Sequence, residues 1–203
     1  MTRAVLASAN PGKLRELAAL LAPLSLELVP QGALGIEPAP ETGTTFAANA
    51  LLKARHAAQR AQLAALADDS GLEVDALGGL PGVRSARFAG DRASDGENLR
   101  HLLAQLQDVP AGRRQARYQC VLVFVRAAGE ERPLIAHGTW EGAIALAPRG
   151  GGGFGYDPVF VPAGDTRTAA QLPAGEKNAV SHRARALRAL VAMLAEAGYI
   201  HAQ

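Results

Sequence analysis

The feature that most constrains this chain is a change of hydrophobic period within its first 21 residues. Arg3 to Ala7 is a short apolar run and reads as a strand. Asn10-Pro11-Gly12 breaks it, and from Lys13 onward leucines fall at 14, 17, 20 and 21, one face of a helix. A strand feeding a helix through a tight turn is the repeating unit of α/β architecture. The rest of the chain continues in the same manner. Leu24 to Val29 alternates as a second strand, and the Pro- and Gly-rich stretch from Gln31 to Thr44 reads as a loop. Thr44 or Thr45 is placed to cap a long alanine-rich helix ending near Gln62, and Ala64 to Ala67 follows as a short apolar run. Ser94 with Glu97 forms a capping-box signature ahead of Leu99, Leu102, Leu103 and Leu106. Gln119 to Val125 and Leu134 to Leu146 read as paired strands with no helical crossover between them, so a mixed sheet is expected. Val180 to Ala197 is the last helix, stopped by Gly198.

With 203 residues, no internal repeat and no long linker, the chain is expected to form a single domain over 1–203. Hydrophobic residues make up 48%, but 43 of them are alanine, so the apolar share overstates how greasy the chain is. The 21 basic and 19 acidic residues leave a net charge of +2, which is no nucleic-acid footprint, and no stable nucleic-acid partner is expected. Apolar runs fall short of the roughly 18 residues of a membrane span. Ala7-Ser8-Ala9 mimics a signal-cleavage site, but the apolar run before it is only Ala4 to Ala7. The single cysteine, Cys120, excludes an intrachain disulfide and reads as a small core residue. A soluble cytoplasmic protein is the expectation.

Four segments carry chemistry. Ser8-Ala9-Asn10-Pro11-Gly12-Lys13 joins a strand to a helix start, where backbone N–H groups and a lysine form an anion cradle. Lysine is scarce, three against 18 arginines, and Lys13 and Lys177 both lie in polar, glycine-flanked segments that suit phosphate. Lys53 lies mid-helix and reads as a solvated charge. Asp68-Asp69-Ser70-Gly71 places two carboxylates at an expected strand end, where they could hold Mg²⁺ or orient a water, or simply form an Asp-rich turn. Glu41 is a second candidate ligand. In Gly150 to Gly153 followed by Phe154-Gly155-Tyr156-Asp157, the aromatic residues could stack on a base and Asp157 could accept from its N–H groups, or the aromatics could tuck into the core. Lys177, His182 and Arg183 are donors that suit a keto oxygen on a base, or are surface charges at a helix start.

Taken together and in order, these segments resemble one family. LASANPGKLREL from Leu6, ETGTTFAANALLKARHAA from Glu41, LADDSGLEVDALGGLPGVRSARFAG from Leu66, GGGGFGYDPVFVP from Gly150 and EKNAVSHRARAL from Glu176 look like the Ham1-like inosine triphosphate pyrophosphatases. The resemblance implies an α/β fold with an elongated mixed sheet, flanking helices and two lobes around a nucleotide cleft, and it implies a homodimer. It implies Mg²⁺-dependent hydrolysis of ITP, dITP and XTP to the monophosphate and pyrophosphate. By that pattern Ser8, Ala9, Asn10, Pro11, Gly12, Lys13 and Lys177 hold phosphates. Asp69 is the general base and a metal ligand, with Glu41 beside it. Ser70, Phe154, Gly155, Tyr156, Asp157, His182 and Arg183 line the nucleotide pocket. The chain departs from the pattern at Pro40, where many relatives carry a second acid, and at Ala48, where many carry Glu. Gly150 to Gly153 is also richer in glycine than usual, which leaves that loop room to move. A Maf-like pyrophosphatase for other nucleotides and a nucleotide-binding module without catalysis remain as alternative readings of the same residues. Arg113, Arg114 and Arg117 read as a solvated loop rather than a nucleic-acid surface.

Overall fold

A computed structural model describes residues 2–21 and 26–200. The regular elements in these residues are, in chain order, β1 Thr2–Ala7, α1 Pro11–Leu21, β2 Leu26–Pro30, α2 Phe46–Ala61, β3 Ala64–Val74, α3 Asp95–Gln105, β4 Gln115–Val125, β5 Leu134–Ile144, β6 Phe160–Pro162, α4 Ala174–Val180 and α5 His182–Glu196. The strands form one sheet in the order β2-β1-β3-β4-β5-β6. β1 pairs parallel with β2 and with β3, while β5 and β6 are antiparallel, so the sheet is mixed. Leu24 and Ser25, where the second strand was expected to begin, lie outside the described residues.

The chain divides into two compact units. The first comprises Met1–Asp69, Cys120–Gly138 and Arg183–Gln203. Here the strand period of two sorts side chains to opposite faces. Ala4, Leu6, Leu66, Cys120, Leu122 and Phe124 pack with Leu17 and Leu21 of α1 and Leu187, Leu190 and Leu194 of α5. Val5, Ala7, Ala65, Ala67, Val121, Val123 and Val125 pack with Ala50, Ala54, Ala57 and Ala58 of α2. The alanine content thus has a structural use: one smooth helical face laid on the sheet. Because both faces are covered, residues 121–125 are buried without a break rather than in alternation. Burial pushes the Cys120 thiol up to about 12, as suits a small core residue.

The second unit comprises Ser70–Gln119 and Thr139–His182. Its core gathers Leu72 and Val74 of β3, Leu99 and Leu102 of α3, Tyr118 of β4, Trp140 of β5 and Phe160 of β6. The Ser94–Glu97 capping box is formed at the start of α3.

Several boundaries differ from the sequence expectation. Asp68-Asp69-Ser70-Gly71 is not a strand end or a turn: β3 runs through it, and Leu72 and Val74 then enter the second core. The last helix, expected from Val180 to Ala197, is α5 and starts at His182; Val180 instead closes a separate helix, α4, and Ser181 between them has an extended backbone. α1 starts at Pro11 rather than Lys13. Gln31–Leu34 is a single 3-10 turn inside the expected loop. β4 begins at Gln115, so Arg117 lies on a strand, and Arg114 is buried. The Arg114 guanidinium donates to the carbonyls of Leu106, Val109 and Ala145, and Arg117 pairs with Asp75 and Glu141.

Candidate active site

The turn after β1 organises itself before it can meet any ligand. Asn10 Oδ1 accepts from the N–H of Gly12 at 2.9 Å and of Lys13 at 3.1 Å. Pro11 has no N–H, and the Leu14 N–H donates to the Asn10 carbonyl. Asn10 is therefore the N-cap, and Pro at the first helical position sets the backbone for α1. The amides expected to form an open cradle already have this side chain as acceptor. The charge that the turn contributes is the Lys13 ammonium, 3.0 Å from Asp68 Oδ2.

β3 then separates its two carboxylates by the same alternation that sorts the core. Asp68 continues the face of Leu66, toward α1 and α5, and Asp69 continues the face of Ala67, toward α2. Asp68 meets Lys13, and Arg183 Nε lies 3.8 Å from its Oδ2. Burial pushes the Asp68 carboxyl up, but Lys13, Arg183 and Lys53 together outweigh burial and hold it at about 2. The Arg183 guanidinium also donates to Glu16 of α1. Burial pulls it down, while Asp68 and Glu16 more than compensate and keep it charged.

On the other face, Lys53 of α2 is no solvated charge. Its ammonium lies 2.9 Å from Asp69 Oδ1 and 3.0 Å from Glu41 Oε1. Burial lowers its affinity for a proton, and Asp68, Asp69 and Glu41 together raise it further, so the charge persists. Asn49 Nδ2 donates to Asp69 Oδ2 at 3.3 Å, and Asn49 Oδ1 accepts from the Gly43 N–H at 2.8 Å. A Cβ on Gly43 would stand 2.7 Å from that Oδ1, so the glycine of the Glu41-Thr42-Gly43 segment lets the loop approach α2. Burial raises the Asp69 carboxyl above its ordinary value, against the pull of Lys53 and Lys13. A carboxylate made more basic by its surroundings and held at both oxygens suits proton abstraction.

Glu41 and Asp69 also bear on metal binding. Both reach a single point of positive charge, the Lys53 ammonium. An all-oxygen pair of this kind fits Mg²⁺, which takes one or two carboxylates and completes its shell with water and phosphate. Among the described residues no cluster of three or more His, Cys, Asp or Glu could hold a metal alone.

In the second unit Asp157 is the hub. Its Oδ2 accepts from the Phe154 N–H at 2.9 Å and lies 2.5 Å from Lys177 Nζ, which sits 5.2 Å over the Phe154 ring. Lys177 is thus grouped with the residues expected around a base. Gly153 has φ +70°, and a Cβ there would collide with the Asp157 carboxylate. In and beside the glycine run, the Gly152 N–H donates to the Ala170 carbonyl and the Gly155 N–H to Asp95. Phe154 is partly exposed, whereas Tyr156 is core, its hydroxyl donating to the Ser85 carbonyl. His182 is buried and stacks on Tyr118, with centroids 4.6 Å apart and planes 9° apart. Ser70, half-buried on β3, opens this unit. His182 belongs to it, but Arg183, the next residue, belongs to the first unit with Asp68.

Sequence reasoning missed Lys53, Asn49, Glu16 and the separate work of Asp68. A signal for Lys53 was present in the scarcity of lysine. All three lysines prove to be paired with carboxylates and largely withdrawn from solvent.

A buried carboxylate raised in basicity beside buried cations, carried on a mixed sheet, is an arrangement suited to hydrolysis of an anionic substrate, the chemistry of the α/β nucleotide hydrolases. Within that class, residues 4–193 match the Ham1 family, and the chain belongs to it. It is 56% identical over 197 residues to the dITP/XTP pyrophosphatase of Yersinia pseudotuberculosis, covering 97% of this chain and 100% of that one. It is 58% identical over 190 residues to the dITP/XTP pyrophosphatase of Methylococcus capsulatus, covering 94% of each. Among solved structures, the HAM1 protein from Coxiella burnetii superposes with a TM-score of 0.89 at 46% identity, covering 97% of this chain and 100% of that one. The Staphylococcus aureus Ham1 protein gives 0.84 at 36%, with the same coverage.

Proposed function

We propose that this protein hydrolyses non-canonical purine nucleoside triphosphates, ITP, dITP and XTP, to the monophosphate and pyrophosphate, and so cleanses the nucleotide pool. One observation carries the mechanism: Asp69 is buried, raised in basicity, and held by Lys53 and Asn49 on its two oxygens. Asp69 takes the proton of a water that attacks the α-phosphorus. The bond from that phosphorus to the bridging oxygen breaks, and pyrophosphate leaves with the electron pair. Lys53 and Asn49 keep the carboxylate aimed, and Lys13 faces the phosphates with its charge. Glu41 and Asp69 would hold Mg²⁺, which when bound neutralises charge on the triphosphate and the leaving group. Ser8 to Lys13 serve the phosphates. Ser70, Phe154 to Asp157, Lys177, His182 and Arg183 serve the nucleoside end.

The donors Lys177 and His182 favour a 6-keto oxygen, and an amino group in that place would leave them facing another donor. Lys177, read from its motif as a phosphate ligand, is assigned to the base on account of its neighbours Asp157 and Phe154. A homodimer and a cytoplasmic location complete the reading. Among the described residues no helix is long and apolar enough to cross a membrane.

The test is pyrophosphate release from ITP, XTP, GTP and ATP, with and without Mg²⁺. Release from ITP and XTP far above GTP and ATP, requiring Mg²⁺, is the expected result. Equal turnover of all four would refute the base preference. Light scattering on the eluted protein measures the dimer.

A further inference from the structure

Tyr118 lies on β4 in the second unit, 7% exposed, and touches both halves of the donor set assigned to the base. Its ring stacks on the His182 imidazole at 4.6 Å and 9°. Its hydroxyl donates to Asp157 Oδ1 at 3.3 Å, and the other oxygen of that carboxylate grips Lys177. Trp140 runs nearly parallel to both rings, 6.5 Å from Tyr118 and 6.4 Å from His182. Phe160 packs at a tilt against Tyr118 at 4.6 Å and Trp140 at 5.2 Å. The imidazole therefore lies against Tyr118, with Trp140 nearly parallel beyond and Phe160 backing those two rings, and the ammonium is held by an acid that the same tyrosine steadies.

We infer that Tyr118 is a positioning residue for substrate selection: one side chain sets the plane of His182 and, through Asp157, the place of Lys177. This rests on the reading above that His182 and Lys177 meet the base. Strand alternation makes the arrangement. Ala116, Tyr118 and Cys120 share one face of β4, and Tyr118 is the one among them long enough to reach both partners. Two interactions of different kinds are involved, so they separate by substitution. Tyr118→Phe keeps the stack and removes the hydroxyl, while Tyr118→Leu removes both.

The experiment compares wild type, Tyr118→Phe and Tyr118→Leu in two arms. In the first, kcat and KM are measured for ITP and ATP with Mg²⁺. Tyr118→Leu is expected to raise KM for ITP by about tenfold or more and to reduce the ITP-over-ATP ratio of kcat/KM by a similar factor. Tyr118→Phe is expected to fall between it and wild type. A purely structural role would lower the active fraction, and hence kcat, for both substrates alike without moving KM or the ratio. In the second arm, the His182 ring-proton shifts are read by NMR without substrate and assigned by their loss in His182→Gln. The stack should move them upfield in wild type and in Tyr118→Phe, and Tyr118→Leu should remove most of that displacement, leaving only the share of Trp140 at 6.4 Å. Unchanged KM and ratio in a folded Tyr118→Leu protein would overturn the inference, as would unshifted His182 protons in wild type. If Tyr118→Leu does not fold, Tyr118→Phe alone decides: wild-type KM and ratio there remove the hydroxyl link and with it the inference as stated. Failure of wild type to act on ITP at all would defeat the functional reading instead, while the NMR arm would still test the placement of His182.

Discussion

Asp68 and Asp69 are neighbours in the chain but answer to different helices. Alternation along β3 turns Asp68 toward Lys13 and Arg183 and Asp69 toward Lys53 and Asn49. Their substitutions should therefore separate. Asp69→Asn removes the proposed base and keeps the shape, so kcat should fall by about 10²–10⁴-fold, read by pyrophosphate release, with an unchanged circular dichroism spectrum. Asp68→Asn should act on stability. The Asp68 carboxyl is held at about 2 in the fold against an ordinary 3.8. A depressed acid stabilises the fold above its unfolded value, and that stability is lost as pH falls through its folded value. The contribution is on the order of 2 kcal/mol, present above pH 3.8 and gone below about 2. Urea unfolding of wild type in chelator should thus weaken between pH 4 and 2, and Asp68→Asn should be weaker at neutral pH and flatter across that window. Cys120→Ser puts a hydroxyl into the apolar first core and should destabilise without altering kcat, as measured in the same two assays.

Two helix starts of similar chemistry differ in consequence at the scale of the element. Ser94 caps α3 through a capping box, and Ser94→Ala should cost about 1 kcal/mol in urea unfolding and leave KM alone. Asn10 caps α1 directly beside Lys13, and Asn10→Ala should cost a similar amount of about 1 kcal/mol and also raise KM, because the turn that presents Lys13 loses its acceptor. Equal KM in both variants would show that the α1 cap is structural only. The Ser94 cap was legible as sequence, as were the leucine stripes of α1, α3 and α5, because a cap and its target lie within three residues; Asn10 was read only as part of a break before a helix from Lys13. The passage of β3 through Asp68-Asp69-Ser70-Gly71 was not legible. Local propensity says that acids and glycine end a strand. Here cations brought in by the helices, Lys13 of α1 foremost, outweigh the burial of Asp68, and Lys53 of α2 offsets part of the burial of Asp69.

For the molecule as a whole, each unit has its own apolar centre, and a substitution in either should be felt. Leu122→Ala in the first and Leu102→Ala in the second remove fully buried side chains and should each cost about 2–5 kcal/mol by urea unfolding. A much smaller loss at one site would show that its surroundings collapse to fill the space. The hydrophobic periods, the caps, the turn residues and the ordered motifs are properties of short stretches, and so the chain by itself determined the α/β class, most of its helices and strands and the family that its motifs resemble. What each charged group does depends on what lies opposite it, and only the tertiary structure decided that. Lys53 and Asp69 are 16 residues apart, Asn49 and Asp69 are 20, and Glu16 and Arg183 are 167. Burial and ion pairing arise when such distant residues meet. They turned a lysine read as solvated into the partner of Asp69 and Glu41, and set Asp68 apart from its neighbour as the anchor of Lys13 and Arg183.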